Sequence, residues 1–380
     1  MLNYLLYPLS SEYGFLRIFN YISFRAAGAA MTALITAFIV GPLILRKLRS
    51  MKLHQVVREG TPAAHSSKGQ TPTMGGLIIV VATIVPTLLW MKLNNRYVLI
   101  GLAAMVWMGI IGFMDDYLKL KQKREGRENK GMVEVQKLLG QVILGFAIGY
   151  YIWKFPLSTL PGASTTLPFY KYMLIVPATQ TLGWLYVAFV TFVLTGTSNA
   201  VNITDGLDGL ATGLSAIAAA TFALFAYVIG RIDTSAYLHI FYLRGSGELA
   251  IFCAAIMGAT IGFLWFNANP AQVFMGDTGS LALGGALGAI AILLKSEFVL
   301  LIVGGVFVVE MASVIVQRFV FKYRKHRYGL EYASSHRVLR RAPLHHHFEE
   351  GGWTENQVVV RFWILGILCA FLALSTLKVQ

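Results

Sequence analysis

Apolar residues run along this chain in blocks separated by short stretches where charge, proline or asparagine collects. A helix needs about 20 mostly apolar residues to cross the hydrocarbon of a bilayer. Ten blocks meet that length, at about residues 22–45, 74–93, 97–116, 134–155, 183–202, 210–230, 248–266, 278–295, 298–320 and 359–377. The pattern predicts an all-α polytopic membrane protein, a single integral-membrane domain over residues 1–380 with about ten transmembrane helices. Internal Gly, Ser and Thr fit that reading, because packed membrane helices place small residues at their contacts.

Composition removes the soluble alternative. Of 380 residues, 56% are hydrophobic, a further 37 are glycine, and only 13% are charged. A soluble domain carries about a quarter charged residues, and a globule of this size could not cover so apolar a core with so little polar surface. Cys253 and Cys369 lie in apolar runs and read as small core hydrophobes rather than a disulfide. Ser10, Ser11 and Glu12 interrupt the first apolar residues, so the N-terminus does not read as a cleavable signal peptide.

A net charge of +14 would point to nucleic acid in a soluble protein. Here its distribution matters more. The segments 46–73, 117–137 and 318–361 hold 22 of the 32 basic residues, and basic loops stay on the cytoplasmic side. Ten crossings then put both termini outside, in the periplasm, with cytoplasmic loops at about 46–73, 117–133, 203–209, 267–277 and 321–358. No nucleic-acid partner is expected. The outer stretch 156–182, with Pro156, Pro161, Pro168 and Pro177, reads as a connector.

The six aspartates sharpen the picture, because Asp115, Asp116, Asp205, Asp208 and Asp277 all fall at the cytoplasmic ends of predicted spans. Carboxylates held beside basic residues at one membrane face suit a divalent metal and a phosphorylated ligand. Asp115 and Asp116 are adjacent, so on a regular helix they point about 100° apart and cannot serve one ion in the same way. A solvated helix-end pair is the plainer reading, although acids at a helix C-terminus oppose its dipole.

In Asn199-Ala-Val-Asn202-Ile-Thr-Asp205-Gly206-Leu207-Asp208-Gly209, polar residues recur every three positions and stack along one drifting helix face. That lining suits nucleotide or metal contacts, the alternative being a loop in which Asp208 caps the next helix. The loop from Asn267 to Ser280 is polar and free of basic residues; Asp277 is either a ligand or the N-cap of the eighth span, and Phe274 could stack on a base. In the last loop, His345, His346 and His347 diverge too much to share one metal, which leaves phosphate binding, proton chemistry or contact with anionic lipid. Glu310, near the middle of the ninth span, is a functional candidate or an interhelical contact and stays unassigned.

Together, Asp115-Asp116-Tyr117-Leu118-Lys119, Asn199 to Gly209, Phe274-Met275-Gly276-Asp277 and Pro343-Leu344-His345-His346-His347-Phe348-Glu349 closely resemble the polyprenyl-phosphate hexose-1-phosphate transferase superfamily. The HHHFE run and the segment Lys68 to Gly76 resemble its muramoyl branch. The resemblance implies a multi-pass enzyme of the bacterial cytoplasmic (inner) membrane, expected as a homodimer. In the implied reaction, undecaprenyl phosphate attacks the sugar-linked phosphate of UDP-N-acetylmuramoyl-pentapeptide, giving lipid I and UMP with Mg2+ as cofactor. By the same carry-over Asp277 ligates the metal, and Asp115, Asp116 and His345 act with it at the catalytic centre. Substrate contacts would come from Lys68, Lys119, Lys130, Asn199, Asn202, Asp205, Gly206, Leu207, Asp208, Asn267, Phe274, His346 and His347. A sister enzyme moving N-acetylglucosamine 1-phosphate is the nearest alternative. An ion-coupled transporter is the other, but its acids should lie at the midplane, where only Glu310 falls.

Overall fold

The computed structural model describes residues 1–50, 71–125, 131–169, 174–175 and 180–378, with the backbone alone at 123, 124, 174, 175 and 180–182. In chain order the helices are α1 (Leu2–Leu6), α2 (Ile22–Ser50), α3 (Gly76–Trp90), α4 (Arg96–Arg124), α5 (Glu134–Lys154), α6 (Gln180–Thr204), α7 (Leu210–Ile229) and α8 (Ile232–Leu238). They continue with α9 (Leu249–Asn267), α10 (Gly276–Leu293), α11 (Glu297–Val303), α12 (Gly305–Tyr328), α13 (Leu330–Ser335), α14 (Leu344–Glu349) and α15 (Glu355–Ser375). A two-residue antiparallel ladder joins β1 (Thr165–Thr166) to β2 (Leu174–Ile175).

Each of the ten apolar blocks is helical, but the blocks are not equivalent. Among the described residues eight helices are long and apolar enough to cross a membrane. The bent pair α11–α12, turning by 85° at Gly304, would make a ninth, and α3 is shorter, with 15 residues. Helix also runs into segments expected as loop: α4 continues to Arg124 and α12 to Tyr328. Their charged last turns are still good helix formers, and nothing in those residues breaks the pattern.

Helix α10 is the hub, with every residue from Thr278 to Leu293 buried. It packs against α3, α4 and α6. On the other side α2 presents Ala29, Ala33 and Ala37 at four-residue spacing, all fully buried, and packs against α9, with Gly258 beside Ala30 and Gly262 beside Ala37. Such small-residue seams let membrane helices approach closely where burial from water no longer drives association. Large side chains such as Phe192, Trp265 and Phe319 are instead left exposed on the outside, as a lipid-facing surface requires.

Two buried polar clusters close the end of the bundle opposite the aspartates. Arg25 makes a bidentate pair with Glu248 at 2.6 and 2.7 Å, and Glu248 also accepts from Lys92 N–H, tying α2 to α9 and the end of α3. Lys295 donates to Gly162 O and Tyr186 Oη, while Glu297 accepts from Thr165 and Tyr186.

Candidate active site

Three helix ends converge on the start of α10. Gly112 makes this possible: a Cβ there would sit 2.1 Å from Asp277 O, so only glycine lets α4 press against the first turn of α10. One helical turn further along the same face stands Asp116, brought into reach of that turn. Its Oδ1 accepts from Asp277 N–H at 3.2 Å, and its Oδ2 from Thr278 N–H at 2.9 Å and Thr278 Oγ1 at 2.7 Å. Asp116 is thus the cap of α10, supplied from another helix. Asp277 does not cap its own helix; it is a first-turn residue with its side chain turned outward to the site.

Asp115, pointing away from its neighbour, joins Asp277 through two ammonium groups. Lys119 Nζ lies 2.6 Å from Asp115 Oδ2 and 3.0 Å from Asp277 Oδ2. Lys137 Nζ lies 3.0 Å and 2.5 Å from the same two oxygens. Asp115 Oδ1 accepts from Met132 N–H at 2.7 Å, and Asp277 Oδ1 accepts from Asn202 Nδ2 at 2.9 Å. One oxygen from each of Asp115, Asp116 and Asp277 lies within 4.8 Å of the others. An all-oxygen carboxylate set suits a hard divalent cation, and the two ammonium groups now neutralise the charge such an ion would.

The turn after α6 borders this centre. Burial first, then the carboxylates of Asp277, Asp116 and Asp208, push Asp205 up to about 8, with a hydrogen bond from the Gly276 backbone opposing.

The other sequence-predicted residues split between this centre and its supports. Asn199 pairs with Gln141 of α5, donating at 2.7 Å. Asp208 accepts from Asn269 Nδ2 and Ala271 N–H, and its own N–H donates to Glu355, so it braces the loop before α10 rather than capping α7. Asn267 is buried; its oxygen accepts from Gly209 N–H and Thr212 Oγ1, and its amide donates to Val273 O. Leu207 is buried and Phe274 half-buried. The Phe274 backbone bonds to Pro72 O and Gly75 N–H, which fastens the start of α3 to this loop.

The three histidines diverge as their adjacency requires. His345 is fully buried against Glu310, His346 meets Glu349 at 2.7 Å, and His347 Nδ1 accepts from Arg340 N–H at 3.1 Å. Burial lowers the pKa of His346, with Glu349 opposing. Lys68 and Lys130 lie outside the described residues.

Lys137 and Glu355 were missed as site residues by sequence reasoning, and Glu310 was singled out but left unassigned. Lys137 had one signal, its place at the edge of the fourth span on the side of the aspartates. The partners of Glu310 and Glu355 lie far along the chain, beyond any local pattern.

Residues 98–295 match the family described as glycosyl transferase family 4. A protein of Gemmatimonas aurantiaca named phospho-N-acetylmuramoyl-pentapeptide-transferase is 68% identical over 380 residues, covering all of both chains. Proteins of the same name from Geobacter sp. strain M21 and Syntrophus aciditrophicus are 48% and 47% identical over 382 residues, again end to end.

Proposed function

The chain belongs to glycosyl transferase family 4 and, within it, to the phospho-N-acetylmuramoyl-pentapeptide transferases, and on that premise we propose how its site performs the transfer. The chain moves phospho-N-acetylmuramoyl-pentapeptide from its UDP-activated form to undecaprenyl phosphate, giving lipid I and UMP in peptidoglycan synthesis. The observation that carries the chemical reading is the sharing of Lys119 and Lys137 by Asp115 and Asp277.

A phosphate monoester has a second pKa of about 6, so the lipid nucleophile is already largely dianionic at neutral pH. The obstacle is bringing that dianion to a charged pyrophosphate. Lys119 and Lys137 supply fixed positive charge at a membrane edge, where preorganised charge is worth more than in water. Asp115 orients both ammonium groups and need not remove a proton. Asn202 holds Asp277 from the far side, and Asp116 fixes the helix on which Asp277 stands.

Asp277, with Asp115 and Asp116 beside it, would hold Mg2+, the cation expected for this chemistry. When bound, such an ion supplies charge neutralisation at the transferred phosphate. The Gly206 turn, Asp205 and the loop around Phe274 border the carboxylates and would receive the nucleotide-sugar. The site faces the cytoplasm of a bacterial inner membrane in this reading, on the strength of the basic loops. A homodimer belongs to the proposal on family resemblance alone.

The reading is tested by omission. Purified protein with Mg2+ and both substrates should release one UMP per lipid-linked product, and chelation or Asp277→Ala should abolish both. Release of UMP at the full rate without the lipid phosphate would refute the transfer.

A further inference from the structure

Glu310 plays no part in the chemistry above, yet it is fully buried in α12, shortly after the break at Gly304. Both its oxygens turn to one residue. Oε1 accepts from His345 N–H at 3.0 Å, and Oε2 lies 2.9 Å from His345 Nδ1. His345 stands in the first turn of α14 and is itself fully buried. Its other ring nitrogen, Nε2, is buried with no hydrogen-bond partner among the described residues. That atom faces Gly206, where a Cβ would come within 2.3 Å of it. Gly206 itself is exposed, in the turn that also carries Asp205 and Asp208.

In the neutral ring, the arrangement dictates where the single proton sits. A backbone N–H can only donate, so the role of Oε1 is fixed, and an ionised carboxylate accepts at both oxygens. A proton on Nδ1 satisfies Oε2. A proton on Nε2 would set the Nδ1 lone pair against the carboxylate and leave a buried N–H with no acceptor. Polar atoms left unpartnered in this way are uncommon in folded proteins, and each calls for an explanation such as a catalytic role or a bound water.

We propose that Glu310 is a positioning residue: it holds His345 with the proton on Nδ1, so that Nε2 waits as a bare acceptor beneath the Gly206 turn for a hydroxyl or amide donor of the nucleotide-sugar substrate. The proposal rests on the transferase reading for the identity of that substrate. It explains why position 206 carries no side chain, since any Cβ would displace the ring from Glu310. It also gives the carboxylate a use that neither metal binding nor ion coupling supplies.

Glu310→Gln isolates the claim, because it keeps the shape of the side chain and reverses the hydrogen-bond demand. Its single amide oxygen must serve His345 N–H, which leaves the NH2 group facing Nδ1 and drives the ring proton to Nε2. The tautomer is read by nitrogen NMR of histidine-labelled protein without substrate, the His345 signals being assigned by their loss in His345→Gln. Protonated Nδ1 with bare Nε2 in the wild type, and protonated Nε2 with bare Nδ1 in Glu310→Gln, are expected. In turnover, Glu310→Gln should lower kcat/KM for the nucleotide-sugar about 100-fold and leave KM for the lipid phosphate within about twofold. It should cost nothing more when added to His345→Gln. Protonated Nε2 in the wild type, or a loss from Glu310→Gln that is undiminished in the His345→Gln background, would overturn the proposal. A wild-type protein that makes no lipid-linked product would instead defeat the transferase reading, and the NMR result would still decide the tautomer.

Discussion

The carboxylate of Asp116 accepts from the backbone N–H of Asp277, so one aspartate of the site closes the helix on which another stands. Adjacent residues of one helix thereby take different tasks. Asp115 reaches the two lysines, and Asp116 spends its hydrogen-bonding capacity on the first turn of α10.

That division predicts unequal consequences of substitution. Asp116→Ala strips acceptors from the buried N–H and hydroxyl of Thr278, at a cost of about 2 kcal/mol. It should lower the thermal midpoint in detergent, and Asp116→Asn, which keeps one acceptor oxygen, should restore part of the loss. An alanine variant as stable as the wild type would contradict the capping role.

Lys137 should matter as much as any aspartate. Lys137→Met removes one of the two ammonium groups shared by Asp115 and Asp277, and kcat/KM should fall by about 100-fold or more. Lys137→Arg should recover only part, because a planar guanidinium does not replace a point charge between two carboxylates. Steady-state kinetics of Lys137→Met indistinguishable from wild type would remove this residue from the site.

Asp115 orients charge in this account and is not a base. Asp115→Asn should therefore be slow at every pH, with a profile parallel to the wild type. A rate that climbs steeply with rising pH, as hydroxide replaces a lost base, would show that a proton is removed there after all.

At the opposite end of the bundle, burial lowers the pKa of Lys295 to about 8 from 10.5, with the charge of Glu297 opposing. The folded value lies below the unfolded one, so the unfolded chain binds more protons between them and stability rises with pH across that window. The penalty, about 3 kcal/mol below the folded pKa, is relieved as the pH climbs through about 8 to about 10. Thermal midpoints measured across that range should rise for the wild type relative to Lys295→Met. Parallel curves for the two proteins would contradict the burial effect.

Much of the architecture was legible because the solvent writes it into the chain. Apolar runs long enough to span a bilayer became helices, and the aspartates at their ends met at one end of the bundle. Azimuth was not legible. Helices α9 and α10 are apolar around their whole circumference, so periodicity cannot say which face meets which neighbour. The cap from Asp116 to α10 and the pairing of Glu310 with His345 both depend on that missing angle. Adjacency did predict that Asp115 and Asp116 must diverge, but only the close approach at Gly112 decided which of them turned to α10. Lys137 stayed hidden among the basic residues of the segment 117–137 because charge counting sets orientation without assigning contacts.

The most direct test of the central claim is product analysis with purified protein, Mg2+ and undecaprenyl phosphate, offered labelled UDP-N-acetylmuramoyl-pentapeptide or labelled UDP-N-acetylglucosamine. The account predicts lipid-linked label from the first sugar nucleotide and none from the second. Lipid-linked label from UDP-N-acetylglucosamine alone would contradict it.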